Sequence, residues 1–200
     1  MAKLPHGFYL NSDVNSLATQ LLGKMLFTKI DGQVTAGLIV ETEAYAGVED
    51  KASHAFSGRF TDRTKTMYLN GGVAYVYLCY GIHNLFNIVT APLNTPHAVL
   101  IRGVEPIIGT DLMLERRGMS SLKPNLTAGP GALSKALGID RTFNAKDLTG
   151  DEVWIEDGKE IDPSTIAAVP RVGVAYAADH ALLPWRYYIK GNSFVSKPNS

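Results

Sequence analysis

The 200 residues are 46% hydrophobic and carry 19 basic and 19 acidic side chains, a composition ordinary for a globular chain that can bury one sizeable core. The balanced charge excludes the global basic field that marks many nucleic-acid binders, so any such contact needs a local patch. The only cysteine, Cys79, excludes an intrachain disulfide and a cysteine-rich zinc site; with no apolar run near ~20 residues and no apolar core in MAKLPHGFYLNSD, a reducing, cytoplasmic location is expected.

Ser12 and Asp13 are capable caps for a helix whose apolar residues, Val14, Leu17, Ala18, Leu21 and Leu22, follow helical spacing as far as the stop at Gly23. KMLFTKI and QVTAGLIVETEAYAG then flank Asp31 and Gly32, a pair suited to a type I′ hairpin turn. Residues 48–72 are polar and irregular, a loop of a length that is usually functional or disordered. AYVYLCYGIHNLFN, residues 74–87, reads as a strand-like segment, as does HAVLIRGVEP, and a helix is expected from about Pro106 to Arg117, with Gly118 at its end. LTAGPGALSKALGID predicts a glycine turn and a short helix ending near Gly138, while DEVWIED and RVGVAYAADHALLPWRYYIKG add strand-like pieces. With no internal repeat and no linker, the expected fold is a single α+β domain over residues 1–200, with a curved, mostly antiparallel sheet and several surrounding helices.

Several residues in this frame could carry chemistry. In LIVETEAYAG, strict alternation puts Ile39, Glu41, Glu43 and Tyr45 on one strand face, a pattern that by itself also suits a solvent-facing surface. Arg102 sits mid-strand with Leu100 and Val104 on its face and needs a carboxylate, an anionic ligand or solvent. In the long loop, His54 precedes Arg59, Arg63 and Lys65, side chains that suit phosphate contacts but equally a solvated loop. The histidines show no metal-ligand spacing, and GPG before a helix lacks the pattern of a P-loop or a dinucleotide fingerprint. No metal or nucleotide cofactor is expected.

In collinear order over nearly the whole chain, VETEAYAGVEDKASHAFSGRFTDR, YVYLCYGIHNLFNIV, VLIRGVEP, GPGALSKALGI and RVGV…PWRYYIKGNSFVS resemble the alkyladenine (3-methyladenine) DNA glycosylase family, as found in bacteria and vertebrates. The resemblance implies a monofunctional base-excision enzyme that uses no cofactor. It would flip a damaged purine (3-methyladenine, 7-methylguanine, hypoxanthine or ethenoadenine) from duplex DNA and hydrolyse the N-glycosidic bond without lyase activity. It implies Glu43 as general base, with Arg102 and the Val172 carbonyl helping to hold the attacking water. Tyr45 on one side and His54 and Tyr77 on the other would stack the base, and Asn87 would reject guanine. Tyr80 would wedge into the DNA stack, and Arg59, Thr61 and Arg63 would meet the DNA backbone. Damaged duplex DNA is thus the implied partner of a monomer that associates with the nucleoid when on DNA. Ile82, His83 and Ala132 depart from the family pattern, with larger side chains beside the wedge and a lysine after GPG being common; Lys135 is one helical turn on.

Overall fold

The structure, a computed structural model, describes residues 2–196. Asp13 caps α1 (Val14–Gln20), its carboxylate accepting the Ser16 N–H at 2.9 Å, and Gly23 turns the chain away at φ +82°. The predicted hairpin follows. β1 (Met25–Ile30) and β2 (Gln33–Ala46) pair with Ile30 opposite Gln33, and Asp31 and Gly32 take the positive φ values, 50° and 78°, that a type I′ turn requires.

Residues 74–87 form two strands where one segment was read. β3 (Ala74–Cys79) and β4 (His83–Thr90) make an antiparallel hairpin. The chain reverses because Tyr80 and Gly81 both take positive φ, 50° and 73°, and the Ile82 N–H donates to the Cys79 carbonyl at 3.1 Å. β5 (His97–Ile108) runs past the predicted helix start, since Pro106 and Ile108 stay paired with Gly37 and Ala36 of β2. The helix, α2 (Thr110–Arg117), begins only after left-handed Gly109 and ends at left-handed Gly118. α3 (Pro130–Leu137) starts at the GPG turn and stops at Gly138, as expected. After β6 (Val153–Glu156) comes β7 (Ile166–Val169), which the sequence reading missed. Of residues 171–191 only β8 (Arg186–Ile189) is a strand; positive φ at Gly173 and Ala178 breaks the extended run, and residues 175–182 form 3₁₀ turns.

Among the described residues eight strands join one sheet in which every pairing is antiparallel, in the order β3-β4-β5-β2-β1-β6, with β8 added to β2 and β7 to β8. The fold is therefore α+β with an antiparallel sheet, as expected. β2 is the hub, because residues 41–43 pair with β5 on one edge and β8 on the other.

Alternation gives the sheet two unlike faces. On one, Val76, Phe86, Ile88, Val99 and Ile101 pack with Leu17 of α1, Met113 of α2 and Leu133 and Leu137 of α3 in the main core. Burying each such large side chain contributes roughly 1.5–3 kcal/mol before the entropy cost of ordering it. The opposite face carries Tyr75, Tyr77, Asn87, Leu100, Arg102 and Glu43 beside an open cleft. Strict alternation misplaces two residues. Register shifts leave Val40 of β2 and Arg102 of β5 unpaired in the ladder, so Ile39 and Val104 turn into the main core while the glutamates and Arg102 remain on the cleft side. The 48–72 loop is ordered by a second, smaller cluster in which Ala55 and Met67 pack on Tyr75, Val89 and Ala98.

Gly103, the glycine of LIRGVEP, lies where a Cβ would come within 2.6 Å of the Phe194 carbonyl oxygen and 3.4 Å of Glu41. Gly103→Ala forces the chain end away from β5, and overpacking of this kind costs about 1–3 kcal/mol. Thermal unfolding is the check: the midpoint falls by several degrees, and an unchanged midpoint contradicts the close packing.

Candidate active site

Glu41 and Glu43 are completely buried, so the solvent-facing alternative for this strand surface is wrong. Burial of two carboxylates obliges the fold to supply donors. Glu43 accepts the Val172 N–H at 2.7 Å on Oε1 and the Tyr45 hydroxyl at 2.8 Å on Oε2, and Arg102 Nη1 lies 3.3 Å from Oε1. Val172 therefore reaches Glu43 through its N–H, whereas the resemblance concerned its carbonyl. Arg102 turns its Nε to Glu41 at 3.0 Å and its Nη2 to the Ser196 hydroxyl at 3.1 Å. Glu41 also receives Arg186 Nε at 2.7 Å and the Ser196 N–H at 2.6 Å, which makes it the structural anchor for Arg102. Burial weakens the Arg102 cation, but the Glu43 and Glu41 charges outweigh this and hold its pKa above the ordinary value.

Glu43 opens onto a cleft of about 730 Å³, a size common for small-molecule sites, walled by Tyr45, His54, Tyr75, Tyr77 and Asn87. β3 and the long loop bring the rings together. The His54 ring meets Tyr77 edge to face at 4.6 Å between centroids, and its Nδ1 lies 2.9 Å from the Tyr75 hydroxyl. Tyr75 thus also orients His54. Asn87 is buried, and its amide donates to the carbonyls of Tyr75 at 3.0 Å and Leu85 at 3.3 Å, which fixes the side chain at the cleft wall.

The proposed DNA-facing residues fall into three places. Tyr80, 87% exposed, stands at the tip of the β3–β4 hairpin beside exposed Ile82. A bulky residue held at positive φ costs strain. Arg63 reaches the cleft, with its guanidinium 4.7 Å from the Tyr77 ring centre and Nη2 3.3 Å from His54 Nε2. Arg59 and Thr61 stay outside the cleft walls; their loop is held by the Thr64 hydroxyl, which donates to the Arg59 carbonyl and accepts the Thr61 N–H. At the GPG turn the Gly129 N–H donates to the Arg102 carbonyl at 2.9 Å, and His83 packs so close to Gly131 that a Cβ there would lie 2.8 Å from its ring. Ala132 lines the cleft, while Lys135 is exposed and does not.

The sequence reading missed Asp50, Arg171 and Trp185. Arg171 and Asp50 form a fully buried ion pair of 2.5 and 2.9 Å, and the guanidinium lies 4.8 Å from the Tyr45 ring and 5.1 Å from the Trp185 ring. Burial raises the Asp50 carboxyl, but Arg171 and the Ala52 and Ala46 N–H groups overcome this and leave it below its ordinary value. The only signal for Arg171 was its place directly before Val172 in RVGV. Among the described residues no three His, Cys, Asp or Glu side chains cluster to hold a metal ion, and no helix is long and apolar enough to cross a membrane.

A family model described as "Methylpurine-DNA glycosylase (MPG)" matches residues 8–193. The chain is 47% identical over 188 residues to a protein of Chlamydia felis, covering 93% of this chain and 95% of that one. It is 41% identical over 203 residues to a protein of Desulfitobacterium hafniense (98% and 99% covered) and 43% identical over 202 residues to one of Bacillus cereus (96% and 98%). All three relatives carry the name "Putative 3-methyladenine DNA glycosylase".

Burial and then the Arg63 and Arg59 charges push the His54 imidazole down from 6.5 to about 4, so the ring is neutral at pH 7. Because the folded value lies below the unfolded one, this group's contribution to stability is whole above pH 6.5 and is lost as pH falls toward 4. NMR titration of the five histidines gives a His54 midpoint near 4 that rises in Arg63→Ala; a midpoint near 6.5 contradicts the buried setting.

Proposed function

The chain belongs to the methylpurine-DNA glycosylase family and is a DNA glycosylase, and we propose that it flips alkylated or deaminated purine nucleotides out of duplex DNA and hydrolyses their N-glycosidic bond with water activated by Glu43. The observation that carries this reading is a wholly buried carboxylate, with a donor on each oxygen and a guanidinium beside it, opening onto an aromatic cleft. In the proposed step the water oxygen bonds to the sugar C1′, the C1′–N bond breaks with its electron pair going to the base, and Glu43 takes the water proton. The same carboxylate faces the positive charge that builds on the sugar in an oxocarbenium-like transition state. Arg102 then serves as the nearby cation that holds Glu43 in place and helps fix the water.

The cleft walls suit the leaving group. A flat purine would stack between Tyr45 on one side and, on the other, His54 and Tyr77, whose rings meet edge to face, and electron-rich rings attract cationic bases such as 3-methyladenine and 7-methylguanine. His54, neutral at pH 7, adds no repulsion. Hypoxanthine and ethenoadenine are neutral and need a proton on leaving. Asn87, whose amide donates to two backbone carbonyls, would crowd the exocyclic amino group of guanine. Tyr80 at the hairpin tip fills the gap in the stack, where unstacking costs a few kcal/mol. Arg59 and Thr61 supply local backbone contacts of the kind a neutral chain needs, with affinity falling as salt rises, while Arg63 lies over Tyr77 at the cleft.

The test is a panel of duplexes carrying 3-methyladenine, 7-methylguanine, hypoxanthine or ethenoadenine, scored for free base and abasic sites. The protein releases base and leaves abasic sites without cutting the strand, and Tyr80→Ala slows release from duplex by about tenfold or more. Lesion binding without abasic sites would instead make the protein a shielding module. Preference for structured RNA with no lesion discrimination would make it an RNA-binding domain.

A further inference from the structure

Both oxygens of Glu43 depend on donors that meet at one buried side chain. The Tyr45 hydroxyl holds Oε2 and the Val172 N–H holds Oε1. Arg171 touches both supports, since its guanidinium packs 4.8 Å from the Tyr45 ring centre and its own peptide carries the Val172 N–H. We infer that Arg171 is a positioning residue of the candidate site, one that sets the orientation of the Glu43 carboxylate through Tyr45 and Val172, beside the direct contact from Arg102. The inference rests on the reading of Glu43 as the base that activates water.

The surroundings of Arg171 fit that role better than they fit simple core filling. The guanidinium is fixed in its plane by a two-toothed pair to Asp50 at 2.5 and 2.9 Å, by the Ala44 carbonyl at 2.9 Å and by the His180 carbonyl at 3.2 Å. Trp185, 5.1 Å away, provides a second aromatic contact. Asp50 in turn accepts the Ala46 N–H at 3.2 Å and the Ala52 N–H at 3.0 Å. The end of β2, the start of the long loop and the 171–180 segment are thereby tied at one point, and these are the segments that carry Tyr45 and Val172. A lysine can keep the charge, but it has neither the flat face for two rings nor the fork for a carboxylate. Arg171 is absent from the cleft wall, so any effect it has on turnover acts through Tyr45 and Val172.

Arg171→Lys is the direct variant, compared with wild type by single-turnover base release and by equilibrium binding to the same lesion duplex. Release slows by on the order of ten- to a hundredfold while binding changes by less than about threefold, the split expected when a reacting group is turned and the binding surface is kept. Tyr45→Phe removes one of the two donors, and the losses of Arg171→Lys and Tyr45→Phe do not multiply in the double variant because they act on the same carboxylate. If Arg171→Lys does not fold, Asp50→Asn, which loosens the guanidinium and leaves it in place, shows the same split at smaller size. Wild-type release in the folded variants, parallel losses of binding and release, or losses that multiply overturn the inference. A wild-type protein that released no base would fault the underlying reading of Glu43 and not the role of Arg171.

Discussion

Two carboxylates two residues apart on one strand, both buried, create a demand for positive charge that shapes this molecule. Leaving either unmatched costs about 3–5 kcal/mol, a large part of the ~5–15 kcal/mol by which a domain of this size is stable. The fold answers with Arg102 between the two glutamates and Arg186 on Glu41, and it closes the cluster with Ser196 from the end of the described chain. Glu41 is saturated by these donors and serves the architecture. Glu43 keeps fewer partners and faces the cleft, which is why the two glutamates of one ETE motif are suited to different work.

The sheet makes that separation possible. Its helix-covered face buries the apolar residues that hold the domain together, which leaves the other face free to carry tyrosines, an asparagine and charge. Irregularities in β2 and β5 serve the same end, because they return Ile39 and Val104 to the core without moving the glutamates. The β3–β4 hairpin projects from this face with Tyr80 and Ile82 exposed, and His83 is packed on Gly131 at the start of α3. The GPG turn is thus connected twice to the site region, through His83 and through the Arg102 carbonyl. Close packing on His83 accounts for Gly131, and the positive φ of 111° accounts for Gly129.

Local chemistry was legible in the sequence wherever one short segment decides the outcome. Asp13, Asp31–Gly32, Gly118 and Gly138 each act within a few residues, and the structure follows them. Alternation correctly grouped Glu41, Glu43 and Tyr45, but burial of the glutamates was hidden because it depends on distant donors, Arg186 and Ser196 over 140 residues away for Glu41 and Val172, 129 residues away, for Glu43. Pro106 looked like a helix start since its pairing with Gly37 on β2 has no local signature. Arg171 and Asp50 went unread for the same reason: their ion pair joins positions 121 residues apart. The Arg63 guanidinium, grouped with backbone contacts from its basic loop, lies over Tyr77 at the cleft.

The central claim is that the Glu43 carboxylate performs the hydrolysis and that binding of the lesion is a separate property of the aromatic walls. Glu43→Gln keeps the size of the side chain and removes its ability to take a proton. Measured on one preparation with one lesion duplex, this variant should bind as wild type does and release base about 10²–10⁴-fold more slowly, the range expected for loss of a general base. Release by Glu43→Gln at the wild-type rate would contradict the account.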